Sequence, residues 1–600
     1  MKNIKNIWGE ESSFCLKLKM NIRKDKSRIK NMSKSVNLIV ILVIIIITFF
    51  IIMLFKNNSD MNVFFSNKFN VEYSKNVPAE WMEYRAKITL NDDKTKIEGE
   101  GVSNTGSAIK IQESGKYYFT GEISDATIIV DTKEDNHVDL VFGNCSIESK
   151  KSSPIIGLNC KNLTIFLEEN TENTLTDSSE YKYLINKKKQ KPDGCIYSNN
   201  DLTIAGTGKL IVKSNNEDGI VSEKNLKITN CELDISSADD GIRSKNIMYI
   251  RNANIKTNSN GKGIKTTDEV NGSIQIDKST IDLNVTDDGI QSASTLNIYG
   301  DSKINIIAKN KEQDGKNEEN KNDKEIICKG IKANADIIVE SGTIIVDASD
   351  DAIHSNGIIL INDGEFKLKA KDDGIHADKK LVINNGKIVV LESYEGIESS
   401  YIQINGGDIN VTSTDDGISV GGEEIKENKI ISGIYDIYNI LEINGGNIKI
   451  YSDSDKDGTG DGIDSNAEIN INGGSIYVLG PTNDEYDEAL DISIRCAITG
   501  GDMILCGASD TWKKVSQDTN VVSLTFLNIN GKKNDELILR SSSGKIIRKI
   551  TLEDDYDQIT FSNQDIELNE KYALYKDEQK ICELRADSFA NSNIKNQNEN

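Results

Sequence analysis

From Ile109 onward, apolar and polar residues alternate in short runs, and each run stops at a turn rich in glycine and asparagine. The segment Leu441–Glu442–Ile443–Asn444–Gly445–Gly446–Asn447–Ile448–Lys449–Ile450 shows the pattern: two alternating stretches either side of a Gly-Gly turn. A period of two places successive side chains on opposite faces of a strand, so the pattern predicts short strands with one buried face rather than helices. Related turns follow at Asn362–Asp363–Gly364, Asn405–Gly406–Gly407 and Asn472–Gly473–Gly474. The apolar runs Ile128–Val130 and Leu163–Leu167 predict the first strands of the same array.

A second signature repeats with the first. Asp239–Asp240–Gly241–Ile242 recurs as Asp287–Asp288–Gly289–Ile290, Asp350–Asp351–Ala352–Ile353, Asp372–Asp373–Gly374–Ile375 and Asp415–Asp416–Gly417–Ile418. Taking the small residue as a marker gives positions 194, 219, 241, 263, 289, 330, 352, 374, 396, 417, 462 and 489. Most intervals are close to 22 residues, and the long ones contain insertions at 309–325 and about 421–437, which read as loops leaving a stack. A rung of this length suits a three-sided parallel β-helix, all-β throughout, and lacks the Leu/Asn signature of a leucine-rich repeat. Rungs stacked at about 4.8 Å make a dozen of them a rod about 55 Å long. Ile242, Ile290, Ile353, Ile375, Ile397 and Ile418 are expected to form one inward ladder. A stack of this kind lets a long chain be one solenoid, since each unit packs only on its neighbours.

The period fades after about residue 500, and runs such as Glu536–Leu539 and Tyr572–Tyr575 predict a C-terminal β cap over 501–588, before an Asn-rich tail, 589–600, expected to be disordered. At the other end, residues 38–55 form an apolar run broken only by Thr48, long enough to span a bilayer core of about 30 Å as a helix. Residues 1–37 carry ten Lys/Arg against three Asp/Glu, so the positive-inside rule predicts a cytoplasmic N-terminus, a single membrane span and an extracellular bulk. A cleaved signal peptide is the rival reading; no Ala-x-Ala site follows the run. Residues 56–84 then read as a stalk, with Trp81 and Tyr84 as packing anchors, leading into a solenoid over 85–500.

The net charge of −24, less the +7 of residues 1–37, leaves −31 on the remainder. That excludes nucleic acid as a natural partner and makes an anionic ligand depend on an intervening cation. Eight of the nine cysteines follow the apolar run, none in a CxxC, and several at positions where the alternation predicts an inward residue, which favours buried free thiols over disulfides. The run Lys187–Lys191 reads as a solvated loop.

In-register rungs set the paired aspartates in columns whose like charges repel. Ca²⁺ answers this well, because it gathers six to eight oxygens at about 2.3–2.6 Å. The candidate ligands are Asp239, Asp240, Asp287, Asp288, Asp350, Asp351, Asp372, Asp373, Asp415 and Asp416, with Asp461, Asp464, Asp487 and Asp491 near the C-terminal end. The alternative is that aspartate caps the turn through backbone N–H groups while glycine supplies positive φ. Asp453–Gly458 also resembles the start of an acidic calcium loop, without the Glu at its twelfth position. Two residues after the small marker lies a further column: Val221, Arg243, Lys265, Gln291, Lys332, His354, His376, Glu398, Ser419, Asp464 and Asp491. The isoleucine before it faces inward, so this column faces out and forms a ribbon for an extended ligand. Gln291, His354, His376 and Glu398 are its candidate ligand contacts, and Tyr394, Tyr401 and Tyr451 the aromatic surfaces available beside Trp81 and Trp512. The two histidines on adjacent rungs also suit a transition metal, though no third ligand at a known spacing accompanies them.

Strand, Gly-Gly turn, strand and Asp-Asp-Gly-Ile, repeated behind a membrane or secretion segment, resembles a family of bacterial, clostridial-type carbohydrate-binding proteins over residues 85–500. The resemblance implies a right-handed parallel β-helix similar to pectate-type polysaccharide lyases, bound Ca²⁺, and affinity for cell-wall or acidic polysaccharide. Two other readings stay open. In a Ca²⁺-dependent lyase, Arg243, Lys265 or Lys332 is the base that abstracts the proton beside a uronate carboxylate; in a structural surface rod or adhesin, the aspartates only stiffen the stack.

Overall fold

The alternating runs are strands in the computed structural model, which describes residues 83–133, 135–182, 192–309, 328–421, 440–452, 460–466, 468–481, 488–509 and 519–593. The apolar run 38–55, most of the stalk with Trp81, the Lys187–Lys191 run, Asp453–Gly458, Asp487 and Trp512 lie outside the described residues, as does nearly all of both insertions. Among the described residues no helix is long and apolar enough to cross a membrane.

Each rung contributes three strands, and each strand pairs in parallel with its counterpart one rung away. In one rung these are Ile353–Ser355, Ile358–Ile361 and Glu365–Lys369, followed by Ile375–Ala377, Lys380–Ile383 and Lys387–Glu392 in the next. Three ladders result, so the chain is a three-sided parallel β-helix. The first ladder, built from the strands that follow the aspartate pairs, forms a sixteen-stranded sheet from Val102–Asn104 to Asp491–Ile492. The second and third ladders share the larger sheet.

The inward ladder is longer than the pattern predicts. Isoleucines at 109, 128, 155, 196, 220, 242, 264, 290, 331, 353, 375, 397, 418 and 463 pair rung to rung without interruption. Each is at most 1% exposed, and burial of one such side chain contributes about 2 kcal/mol of apolar transfer. The pairs Ile290–Ile331 and Ile418–Ile463 hold register between the described rungs on either side of the insertions.

The two kinds of glycine are there for different reasons. In the Gly-Gly turns the second glycine lies in the left-handed region, with φ of 101° at Gly407 and 94° at Gly446. The glycine after the aspartate pair does not, contrary to the expectation that it supplies positive φ. There the constraint is space: a Cβ on Gly241 would sit 2.6 Å from the carbonyl oxygen of Gly263 in the next rung. Beside the Gly-Gly turns the asparagines form a ladder of side-chain amides: Asn384 donates to Asn362 at 2.7 Å, Asn405 to Asn384 at 2.8 Å, Asn444 to Asn405 at 2.9 Å and Asn472 to Asn444 at 2.9 Å.

The third ladder ends at Asp502–Gly507, whose open edge pairs antiparallel with Gln558–Asn563. That strand pairs in turn with Ser523–Leu527, and Glu536–Ser541, Ile546–Thr551, Lys571–Lys576 and Gln579–Arg585 form a separate four-stranded antiparallel sheet. Phe526, Phe561, Tyr572 and Leu574 belong to a second hydrophobic core here. The expectation of a disordered tail over 589–600 is corrected at its start. Ala590–Ser592 is a strand paired with Ser523–Thr525, held because Asn593 accepts from Leu527 N–H at 2.8 Å and donates to its carbonyl at 3.0 Å. Seven cysteines are buried, Cys582 is half-buried, and all eight are free thiols.

Candidate functional site: the charged face of the first ladder

In the inner column Asp218, Asp240, Asp288 and Asp351 each split their work between their two oxygens. Oδ1 accepts from the backbone N–H of the next rung: Asp240 N–H to Asp218 at 3.1 Å, Lys262 N–H to Asp240 at 2.9 Å, Lys329 N–H to Asp288 at 3.0 Å, Asp373 N–H to Asp351 at 3.2 Å and Asp461 N–H to Asp416 at 2.8 Å. Oδ2 takes a cation. Arg243 Nε reaches Asp218 Oδ2 at 2.6 Å, Lys265 Nζ reaches Asp240 Oδ2 at 3.0 Å, and His354 and His376 each place Nδ1 2.7 Å from Oδ2 of Asp351 and Asp373. Capping of backbone N–H groups, posed as the alternative to Ca²⁺ ligation, is thus done by Oδ1, while Oδ2 faces a basic side chain of the protein itself.

The columns of like charge are not continuous, which corrects the picture of uncompensated aspartates stacked rung on rung. Between Asp240 and Asp288 the column holds Lys262, and between Asp288 and Asp351 it holds Lys329. Lys262 Nζ lies 2.7 Å from both Asp287 and Asp288; Lys329 Nζ lies 2.9 Å from Asp350 and also pairs with Asp351. Asp218, Lys262, Lys329 and Glu395 lie outside the Asp-Asp motif. Each nonetheless immediately precedes one of the small marker residues, so aligning the rungs on those markers exposes them. The first aspartates form a separate, more outward column: Asp239 and Asp372 are exposed and Asp287 and Asp415 half-buried, while Asp350 is buried.

The outward column is in register, with Arg243, Lys265, Gln291, Lys332, His354, His376, Glu398, Ser419, Asp464 and Asp491 on successive rungs. Two of its expected members do not face solvent. Val221 is buried with Ile156 and Tyr197 in a small apolar cluster, and Ser419 is also buried. Tyr394 replaces an aspartate in the outer acidic column, between Asp372 and Asp415. Tyr401 is not on this face at all. It opens a strand of the second ladder, with its hydroxyl 3.0 Å from Glu442 and Lys380 Nζ 4.2 Å from its ring centroid, because it falls after the strand that carries Glu398. Of the three candidate bases, Arg243 and Lys265 are tied to aspartates; Lys332 makes no ion pair among the described residues.

Charge changes along this face. Through His376 the column supplies its own cations, and the rings of His354 and His376 lie 4.8 Å apart at 52°. His376 also meets Glu398 at 2.8 Å; burial opposes its charge, but Asp373 and Glu398 hold the imidazole protonated, pushing it up to about 11. The inner column is acidic on every rung from Asp351, through Asp373, Glu395, Asp416 and Asp461, to Glu488, and beyond His376 the outward column sets no basic residue against it. Burial, then Glu398, Asp373, Asp416 and Asp415, push Glu395 up to about 9, and its Oε2 is buried without a hydrogen-bond partner among the described residues. Asp461, Asp464 and Asp491 bring carboxylate oxygens within 4.8 Å of one another. Burial, then Asp416, Asp491 and Asp464, raise Asp461 to about 8, against the pull of the Glu488 N–H. Three hard oxygen donors at this spacing fit Ca²⁺. The triad Asp350, Asp351 and Asp372 is within the same reach but already holds Lys329.

Fold and site together define a parallel β-helix with one ladder that organises cations beneath an outward, linear ribbon of charged side chains. The chain belongs to the family of carbohydrate-binding domain-containing proteins, which matches it over residues 105–374 and 358–511, more than half its length. A relative described as a carbohydrate-binding domain-containing protein, from Acetivibrio thermocellus, is 33% identical over 156 residues, covering 26% of this chain and 54% of the relative. The chain therefore spans about half the length of that relative. A solved structure described as the polysaccharide lyase-like protein from C. thermocellum, gadolinium derivative, aligns with a TM-score of 0.25 and 22% identity over 54% of this chain and 93% of that one.

Proposed function

We propose that this chain binds an extended cell-wall or acidic polysaccharide along the outward ribbon of the first ladder, with Ca²⁺ at its acidic C-terminal rungs. The observation that carries the reading is a change along two neighbouring columns: the outward one sets Arg243, Lys265 and His376 against inner carboxylates, whereas beyond His376 both columns carry acids, from Glu395 and Glu398 to Asp464 and Asp491, with Ser419 the neutral member. An acidic polymer meets Lys332 at one end, the basic member of the ribbon that makes no ion pair among the described residues, and at the other a bound Ca²⁺ bridges its carboxylates to Asp461, Asp464 and Asp491. Membership of a carbohydrate-binding family supports the ligand class. Residues 38–55 would tether the rod to the membrane and place this face outside the cell. The test is pull-down of the chain on polygalacturonate with Ca²⁺ or EDTA. Binding that EDTA abolishes supports the reading; binding that EDTA leaves unchanged removes the calcium from it.

A lyase reading has one residue in its favour, Lys332, which sits on the ribbon two rungs before His376 without a carboxylate partner among the described residues. Release of unsaturated product from polygalacturonate, lost in Lys332→Ala, would establish it.

A further inference from the structure

The ribbon offers charge and little aromatic surface, whereas an open cleft lies on a different side of the helix. On two adjacent rungs of the third ladder, Asn410 registers with Lys449 and Thr412 with Tyr451. Ile409, Val411, Ile448 and Ile450 alternate with them and are buried, so these four side chains point away from the interior of the β-helix, Tyr451 packing partly against the C-terminal core. Lys533, Glu553 and Asp554, from the C-terminal segment, line its other wall, and the open space between the two walls is about 360 Å³. That is within the range of small-molecule sites, about 300–1,000 Å³. Lys449 Nζ meets both carboxylate oxygens of Glu553, at 2.8 and 2.7 Å, which ties one wall to the other. Behind this, Arg548 grips Asp502 at 2.8 Å and Asn563 donates to the same carboxylate at 2.8 Å, anchoring the C-terminal segment to the last rung.

We infer that this cleft is a subsite for a neutral pyranose unit, separate from the cation-organising face; the inference rests on the reading that the chain binds carbohydrate. A pyranose presents hydroxyls that donate and accept, together with a patch of C–H surface. The Asn410 amide and Thr412 hydroxyl can do both, Asp554 accepts, Lys533 donates, and Tyr451 supplies the aromatic surface. The charges in the lining cancel: Lys449 and Lys533 against Glu553 and Asp554. A uronate therefore finds no net attraction there, in a chain whose overall charge is −24. The family match ends at residue 511, so family membership does not by itself provide the second wall.

The experiment is titration calorimetry of the full-length chain in EDTA with cellotetraose, xylotetraose and mannotetraose, on the native chain, Asn410→Ala and Lys533→Ala. Both side chains lie outside the hydrophobic clusters, and thermal melts verify that each variant folds. One neutral tetramer is expected to bind, and each substitution to weaken it roughly tenfold, about 1.4 kcal/mol. Binding within twofold of native in both variants overturns the cleft while leaving carbohydrate binding in place. If no neutral tetramer binds, the inference falls, and the polygalacturonate pull-down decides the broader reading independently.

Discussion

Lys262 Nζ lies 2.7 Å from Asp288 Oδ2 and 2.7 Å from Asp287 Oδ1, at a column position where the rungs on either side carry aspartate. An ammonium built into the column does there what a bound ion would do elsewhere in it. The N-terminal rungs are therefore neutralised from within, and the demand for an external cation moves towards the C-terminal end.

Replacing Lys262 with Met keeps the stem and removes the charge. The side chain is 15% exposed and that of Asp288 8%, so water compensates the stranded aspartates poorly. Lys262→Met is expected to cost about 2 kcal/mol in urea unfolding, below the full cost of breaking a deeply buried pair, with millimolar Ca²⁺ restoring part of it. A loss that Ca²⁺ leaves untouched would show that ammonium and metal are not equivalent in the column.

Thermal stability in EDTA is expected to fall as pH rises. Glu395 ordinarily loses its proton near pH 4.3 but holds it to about pH 9 in the fold. Between those values the folded chain binds a proton that the unfolded chain has released, so stability decreases with pH across the window and levels off above it. Asp461, raised to about 8, adds in the same sense. So does His376, whose protonated form stabilises the fold most fully below about 6.5 and loses that contribution as pH rises towards 11. Glu395→Gln should flatten the slope of melting temperature against pH from 5 to 9; an unchanged slope would exclude Glu395 as its source.

Ca²⁺ should raise the melting temperature, and Asp461→Asn combined with Asp464→Asn should abolish the rise. At one hundred times its dissociation constant a ligand specific to the folded state contributes about 2.7 kcal/mol. Differential scanning fluorimetry with CaCl₂ or EDTA measures it. A Ca²⁺ response retained in the double variant would move the ion away from the Asp461, Asp464 and Asp491 triad.

The turns offer a contrast between chemistry and backbone. Asn405→Ala removes two exposed ladder hydrogen bonds, at 2.8 and 2.9 Å, and a longer one from Gln403 at 3.5 Å, and is expected to cost about 1 kcal/mol. Gly407→Ala places a Cβ at φ 101° and 2.8 Å from the carbonyl oxygen of Gly386, and is expected to cost at least about 2 kcal/mol. Denaturant midpoints that reverse this order would mean the amide ladder, rather than the glycine, holds the turn.

Sequence by itself determined the solenoid, because every rung must bury the same face on the one below it, and that requirement writes a period directly into the chain. Six isoleucines were enough to find a ladder of fourteen. It also determined the outward ribbon from Arg243 to Asp491, since strand alternation leaves the residue beside a buried isoleucine no other direction. Only the tertiary structure decided which charges meet. Lys262 and Lys329 do not match the aspartate motif, yet register brings them into its column; Tyr401 is three residues from Glu398 in the chain and on another ladder. The cleft between Tyr451 and Glu553 was likewise invisible, because its two walls are about a hundred residues apart and meet only where the last rung pairs with the C-terminal strands. Periodic burial is a local property that repeats, whereas the pairing of particular charges depends on where the chain returns.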